Sequence, residues 1–242
     1  MIKRVVSLLI LPCVVLLAGC HNSDQDLVKA PKAPPFSIKA MHWYDAVTAP
    51  AVSEKNRLPE KQAMVYSQTL YSAIHDAYPT VNLIEPKRFR QVIGHHYQDF
   101  ARYFWQNGWL VMQDRQRLEL NFTHLRYIFF TRVMQDQLTH HYALRKTPVA
   151  EKGKVSAVQT YTTVRDLVLK VAVYDLQSKK VVWHQQDAMA KTTVQTYKQN
   201  INDTKQAVDA LKHPYPDPVS THDLSLALYK KMVKQLPTLD HE

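Results

Sequence analysis

Glycine is scarce in this chain, four in 242 residues. A loop that cradles phosphate needs clustered glycine for close backbone approach. Gly19, Gly94, Gly108 and Gly153 stand far apart, which excludes such a loop. Gly-x-Ser-x-Gly is absent, so the sharp nucleophile turn of a serine hydrolase has no basis. Cysteine is scarcer still, with Cys13 and Cys20 alone, and a Cys-based structural zinc site is excluded. There is no His-Glu-x-x-His and no His-x-His. The doublets His95-His96 and His140-His141 are poor chelates, because neighbouring side chains diverge on strands and helices alike. The expectation is surface histidines, no metal and no cofactor. Acidic residues number 21 against 31 basic ones, a formal charge of +10. The basic residues are dispersed, with no run of five.

What is present begins at the amino terminus. Met1-Ile2-Lys3-Arg4 opens with charge, an apolar stretch runs from Val5 to about Ala18, and Leu17-Ala18-Gly19-Cys20 closes it. A charged start, an apolar run and small residues make a secretory signal peptide. The run is short for a spanning helix of roughly 20 residues, and Pro12 interrupts it. The Leu-Ala-Gly-Cys ending resembles the lipobox of bacterial lipoproteins. That resemblance implies cleavage after residue 19, acylation (palmitate among the chains) at Cys20, and anchoring by buried CH2 groups at about 0.8 kcal/mol each. His21 in place of Asp implies, by the same resemblance, sorting to the outer membrane, facing the periplasm.

Cleavage there removes Lys3 and Arg4 and no acid, taking the formal charge from +10 to +8. No intramolecular disulfide then remains available, so packing must hold the fold. Residues 20–35 read as lipid anchor and Pro/Ala/Lys tether. About 15 residues at ~3.1 Å each reach only ~45 Å, which leans toward a membrane-proximal assembly. The basic surface suits anionic lipid, an acidic cell-wall polymer or an acidic protein. Nucleic acid conflicts with the compartment.

Residues 36–242 are expected to be one periplasmic globular domain. Residues 36–44 alternate as a first strand, and a loop with Pro50 and Pro59 follows. Residues 60–78 carry Ala63, Tyr66, Leu70, Ile74 and Ala77 at helical spacing. Residues 81–84 form a short strand, 87–93 and 95–106 two helices, with Gly94 as a cap, and 114–121 a further helical piece. Residues 125–133 are a third strand, rich in aromatic and β-branched residues. Residues 134–145 show no sustained apolar face, and 147–153 read as a polar loop. The clearest hairpin pairs 164–174 with 181–184, and 192–209 is a long polar stretch that begins with the end of this strand. A final helix spans 220–236, capped by Ser220 or Thr221. The fold class is α/β, an α+β sandwich. Its mixed sheet has the hairpin central or near-central, with helices on at least one face.

Aromatic residues crowd one span: Tyr97, Tyr103, Phe104, Trp105 and Trp109. Core packing accounts for most. Trp105 lies off the main helical seam and Trp109 follows a turn. With Arg115 and Arg117 nearby, they form the candidate partner-binding set, since exposed Trp beside Arg suits a protein anchor. Glycoside hydrolysis needs two facing carboxylates, and Glu85, Asp99, Asp114 and Glu119 qualify only in being acidic. No catalytic residues are assigned.

The element order resembles the anticodon-binding-domain-like module of periplasmic lipoproteins. That family includes the curli secretion lipoprotein CsgG, the penicillin-binding-protein activator LpoB and the N-terminal domain of TolB. The residues concerned are Val81-Asn82-Leu83-Ile84-Glu85-Pro86 with Phe89, Val92 and Ile93, then Leu125 to Val133. Val168-Leu169-Lys170-Val171-Ala172-Val173-Tyr174-Asp175 with Val181-Val182-Trp183 completes the set. The resemblance implies a non-enzymatic accessory or assembly subunit of a secretion-type envelope complex, with a protein partner and homo-oligomerisation open to it. The alternatives are an activator of a peptidoglycan synthase, and a periplasmic hydrolase or metal-dependent enzyme.

Overall fold

Prolines frame the first helix. In the computed structural model, which describes residues 36–55, 57–148, 155–199 and 215–238, helix α1 (Glu60–Ala77) starts after Pro59 and stops before Pro79. Ala63, Tyr66, Leu70, Ala73 and Ile74 are buried at three- and four-residue spacing, whereas Ala77 is exposed. Helix α2 (Pro86–Ile93) closes at Gly94 with a φ of 76°, and α3 (Tyr97–Asn107) closes at Gly108 with the same φ. Both positions suit a residue without Cβ. Helix α4 (Met112–Asn121) follows. Helix α5 (Thr221–Val233) is shorter than its predicted range. Its cap is as expected: Ser220 Oγ accepts the Asp223 N–H at 3.0 Å.

The strands are β1 (Asp45–Thr48), β2 (Val52–Ser53), β3 (Leu83–Ile84), β4 (Leu125–Pro148), β5 (Val155–Asp175) and β6 (Lys180–Gln199). Their order is β3-β1-β4-β5-β6, with β2 beside β4. β1 runs parallel to β3 and β4, while β4, β5 and β6 are antiparallel. The pleat sends alternate side chains to opposite faces. Tyr127, Phe129, Leu167, Leu169, Val171 and Val173 meet α1 and α5 on one face. Ile128, Phe130, Ala172 and Tyr174 meet α2, α3 and α4 on the other. The mixed sheet is therefore covered on both faces.

Three expectations are corrected. Residues 36–44 are not a strand. Phe36, Ile38 and Met41 are all buried, and Lys39–His42 is a 3-10 turn. The first strand is β1, placed by sequence in a loop. Ala46, Val47 and Thr48 are buried in succession between parallel partners, so it shows no alternation to read. The hairpin is also much longer than expected. β4 continues through 134–145 and into the supposed polar loop, β5 starts at Val155, and β6 reaches Gln199. β5 lies inside the sheet, but β6 forms its edge rather than a central strand. The expected signal peptide 1–19, the tether 20–35 with Cys20, and the loop residues 149–153 lie outside the described residues.

Helix α5 is tied to the edge strand by Lys231, whose Nζ donates to Asp187 Oδ1 at 2.9 Å. Partial burial opposes the charge on Asp187. The hydrogen bonds from Lys231 and from the Ala188 N–H more than offset it, and hold its carboxyl below the ordinary value. A depressed folded pKa contributes stability above the unfolded value, which is lost as pH falls through the folded one. Asp187→Asn is thus expected to cost about 0.5–1 kcal/mol at pH 7, the scale of an exposed pair. The gap from the parent should close on acidifying below the ordinary carboxylate range, read by urea unfolding across pH. A gap that stays constant with pH would mean the charge on Asp187 is not what matters.

Candidate functional site

The four residues singled out by sequence do not converge. Trp105 is half-buried on α3, its ring 5.5 Å from Phe104 and facing Lys170 Nζ at 5.6 Å and Arg132 at 6.0 Å. Its Nε1 is buried without a hydrogen-bond partner among the described residues. Trp109 is 48% exposed and meets Tyr103 edge-on at 5.4 Å. Arg115 Nε is buried without a hydrogen-bond partner among the described residues. Arg117 donates to the Ile93 carbonyl at 3.2 Å, closing the end of α2. Trp109 alone among them presents an open aromatic surface. The His doublets separate as expected of neighbours. His95 and His96 are exposed in the 3-10 turn Gly94–His96. His140 and His141 point to opposite faces of β4, with His140 Nδ1 3.1 Å from Thr163 Oγ1. Among the described residues no group of three or more His, Cys, Asp or Glu could hold a metal ion.

A larger feature was missed. Past Val133 and Leu167 the strands β4, β5 and β6 leave the buried clusters and run on as a three-stranded ribbon. A bulge between Val133 and Gln135 marks the point of departure. One face of the ribbon carries Leu138, His140, Tyr142 and Leu144 from β4, Tyr161 from β5 and Tyr197 from β6. Tyr161 sits 5.0 Å from Tyr142, 5.8 Å from Tyr197 and 5.3 Å from Tyr215. Leu138, Tyr142, Leu144 and Val194 are all exposed. The segment before α5 lies across this face, where Thr163 and Thr193 donate to the carbonyls of Pro216 and Asp217 at 2.8 and 3.0 Å.

An ion pair fixes the root of the ribbon. Arg165 donates twice to Asp136, both at 2.8 Å, and once to the Val219 carbonyl at 3.2 Å. Tyr66 of α1 adds its hydroxyl to the same carboxylate at 2.9 Å, and Gln62 its amide at 3.3 Å. Burial and the Asp136 charge push the Tyr66 phenol far up, so it stays a donor. Asp136 is therefore shared by α1 and two strands at the bulge. This geometry sets the direction of the ribbon at its root.

A cleft of about 840 Å3 opens where the start of α1, α2 and the start of α3 meet. It is lined by Arg57, Glu60, Lys87, Arg90, Tyr97 and Gln98 among others. Arg57 Nε donates to Gln98 Oε1 at 2.9 Å, and Gln98 in turn donates to the Leu58 carbonyl at 2.9 Å. Arg90 pairs with Glu60 and lies 5.0 Å over the Tyr97 ring. A smaller cleft of about 360 Å3, lined by Ser53, Glu54, Lys55 and Arg102, shares Arg57. No helix among the described residues is long and apolar enough to cross a membrane.

No family model and no curated protein sequence matches the chain. Solved structures do. The hypothetical protein CT253 from Chlamydia trachomatis is 10% identical, over 79% of this chain and 94% of that one, with a TM-score of 0.39. Lipoprotein GNA1162 from Neisseria meningitidis is 10% identical, over 71% and 94%, with a TM-score of 0.34. The LpoB C-terminal domain from Salmonella enterica is 12% identical, over 63% and 95%, with a TM-score of 0.28. Lipoproteins are thus among the proteins this chain is similar to. These superpositions are too loose to pair residues.

Proposed function

We propose that the chain is an outer-membrane-anchored periplasmic lipoprotein that serves as a non-enzymatic accessory subunit of a secretion-type envelope assembly. In this reading it binds protein and performs no chemistry. The observation that carries the proposal is the ribbon. Three paired strands run past both apolar clusters and expose Leu138, Tyr142, Leu144 and Val194, with Asp136 and Arg165 locking their root. Exposed aromatic and aliphatic side chains on a stiff scaffold suit a docking surface. The sequence Leu17-Ala18-Gly19-Cys20 supports the lipid anchor, and the module resemblance supports the accessory role.

The test is photo-crosslinking in the native host, with probes at Tyr142, Leu144 and, for comparison, Trp109. The expected result is a reproducible adduct from the ribbon positions with subunits of one envelope machine, lost when Cys20→Ser releases the protein from the membrane. Recovery of a peptidoglycan synthase instead would move the assignment to synthase activation. Protein recovered alone from every position would end the accessory reading, and a Cys20→Ser chain still processed and membrane-bound would end the lipid anchor.

A further inference from the structure

We propose that the cleft between α1, α2 and α3 is a binding site for an acidic peptide segment. This deepens the accessory reading, since it names the chemistry of one partner surface. It uses none of the ribbon residues.

The argument starts with Gln98. Its side chain is buried, 4% exposed, and both ends of its amide are spent. One end holds the Leu58 carbonyl and the other holds Arg57 Nε. A buried glutamine that aims an arginine leaves the charge of that arginine intact, whereas a carboxylate in its place would neutralise it. Arg57 is exposed at the cleft and has no acid partner among the described residues, and the same holds for Lys55 and Lys87. The acids nearby are occupied: Glu60 by Arg90, Asp99 by Arg102 at 3.5 Å, and Glu54 by Arg132 at 3.3 Å. A pre-positioned guanidinium with free donors is suited to bidentate carboxylate binding.

The spread of the cations selects among anions. Lys55, Arg57 and Lys87 are distributed over two clefts joined at Arg57. A compact phosphate would need converging donors and close backbone approach, and Gly94 is the one glycine in the lining. Successive charges along an extended chain match the distribution better. A sugar acid would gain from an open aromatic face, but Tyr97 is buried beneath Arg90. A peptide needs no such platform. The volume of about 840 Å3 lies within the range of ordinary ligand clefts.

The test titrates fluorescein-labelled hexaglutamate against the full chain in detergent micelles, read by anisotropy. Saturable binding is expected, with none for hexaglutamine. The combined change Arg57→Ala and Lys87→Ala should weaken it by about tenfold, and raising the salt should weaken it too. Both side chains are exposed, so circular dichroism should stay unchanged. Gln98→Leu keeps the cation and removes its support, and about a threefold loss is expected. Lys230→Ala removes a charge that pairs with Asp76 at the end of α1 far from Glu60 and the cleft, and should leave affinity within about twofold. Absence of saturable binding, or an equal loss on Lys230→Ala, would overturn the proposal. So would displacement by oligogalacturonate or pyrophosphate at lower concentration than by unlabelled hexaglutamate, which would assign the cleft to a glycan or a phosphate. Ribbon crosslinks would persist in each of those cases, so failure here is distinct from failure of the accessory reading.

Discussion

Asp175→Ala is expected to destabilise the fold by about 3–5 kcal/mol, because it strands a buried guanidinium. Arg126 is 4% exposed and Asp175 2%. Two parallel hydrogen bonds of 3.1 Å join them across the β4/β5 pair. Burial opposes the charge on Arg126, but the bonds and charge of Asp175 more than offset it and hold its pKa above the ordinary guanidinium value. The rings of Tyr44 and Tyr127 lie 4.7 and 5.1 Å from the guanidinium. Burial also pushes the Tyr127 phenol up to about 12, so the Tyr127 ring supplies no compensating anion at neutral pH. Asp175 Oδ1 further accepts the Gln177 N–H at 3.0 Å, shaping the turn into β6. The double change Arg126→Met with Asp175→Leu should recover most of the loss, since apolar replacement of both partners is often neutral or better. Urea unfolding of the parent and the two variants decides it. A loss below about 1 kcal/mol for Asp175→Ala would mean that the pair is solvated and that its burial is not what holds the strands.

Val171→Asp should be at least as damaging. Val171 is 1% exposed on β5, within the cluster that meets α1 and α5. A carboxylate placed there has no partner and costs several kcal/mol. That is a large fraction of the 5–15 kcal/mol available to a typical protein. The expected outcome is loss of the cooperative unfolding transition at 37 °C. Val181→Asp on β6, where Val181 is 39% exposed, is the matched control and should change stability by about 0.5 kcal/mol or less. Equal behaviour of the two variants would contradict the burial of the β5 face.

The two hard cases in reading this sequence had different causes. Helix α1 was legible because Tyr66, Leu70 and Ile74 repeat on one stripe between two prolines. The inner half of β5 was legible because Leu167, Leu169, Val171 and Val173 alternate. β1 escaped because parallel neighbours bury it on both faces, so nothing alternates. The ribbon escaped for the opposite reason: neither of its faces is covered by a helix along its length. Its alternation is of Tyr, Thr, His and Gln rather than of apolar with polar, and a hydrophobic pattern has nothing to report there. What makes it a strand is β-branched and aromatic content together with pairing to its neighbours. The residues of the ribbon root and of the cleft were hidden by distance. Arg165 meets Asp136 from 29 positions away, and Arg57 meets Gln98 from 41. Neither pair leaves a local motif. Trp105 was found by aromatic crowding, but its ring serves the packing of α3 on the sheet.

The ribbon also has a mechanical consequence. The described chain enters the fold at Phe36, which packs on Tyr127 at the base of β4 with ring centroids 5.1 Å apart. From there β4 runs about 70 Å to Pro148 at the usual strand rise. Were the proposed partner held near the far end, a pull between it and the point of entry would act along the strands. The hydrogen bonds between antiparallel strands lie perpendicular to that direction, so the β4/β5 ladder is loaded in shear and its rungs share the force instead of opening one at a time. The bulge at Val133/Gln135 is where that ladder is interrupted. The Asp136–Arg165 pair braces this joint with help from Tyr66, so the rod transmits displacement to α1 instead of folding at its weakest point.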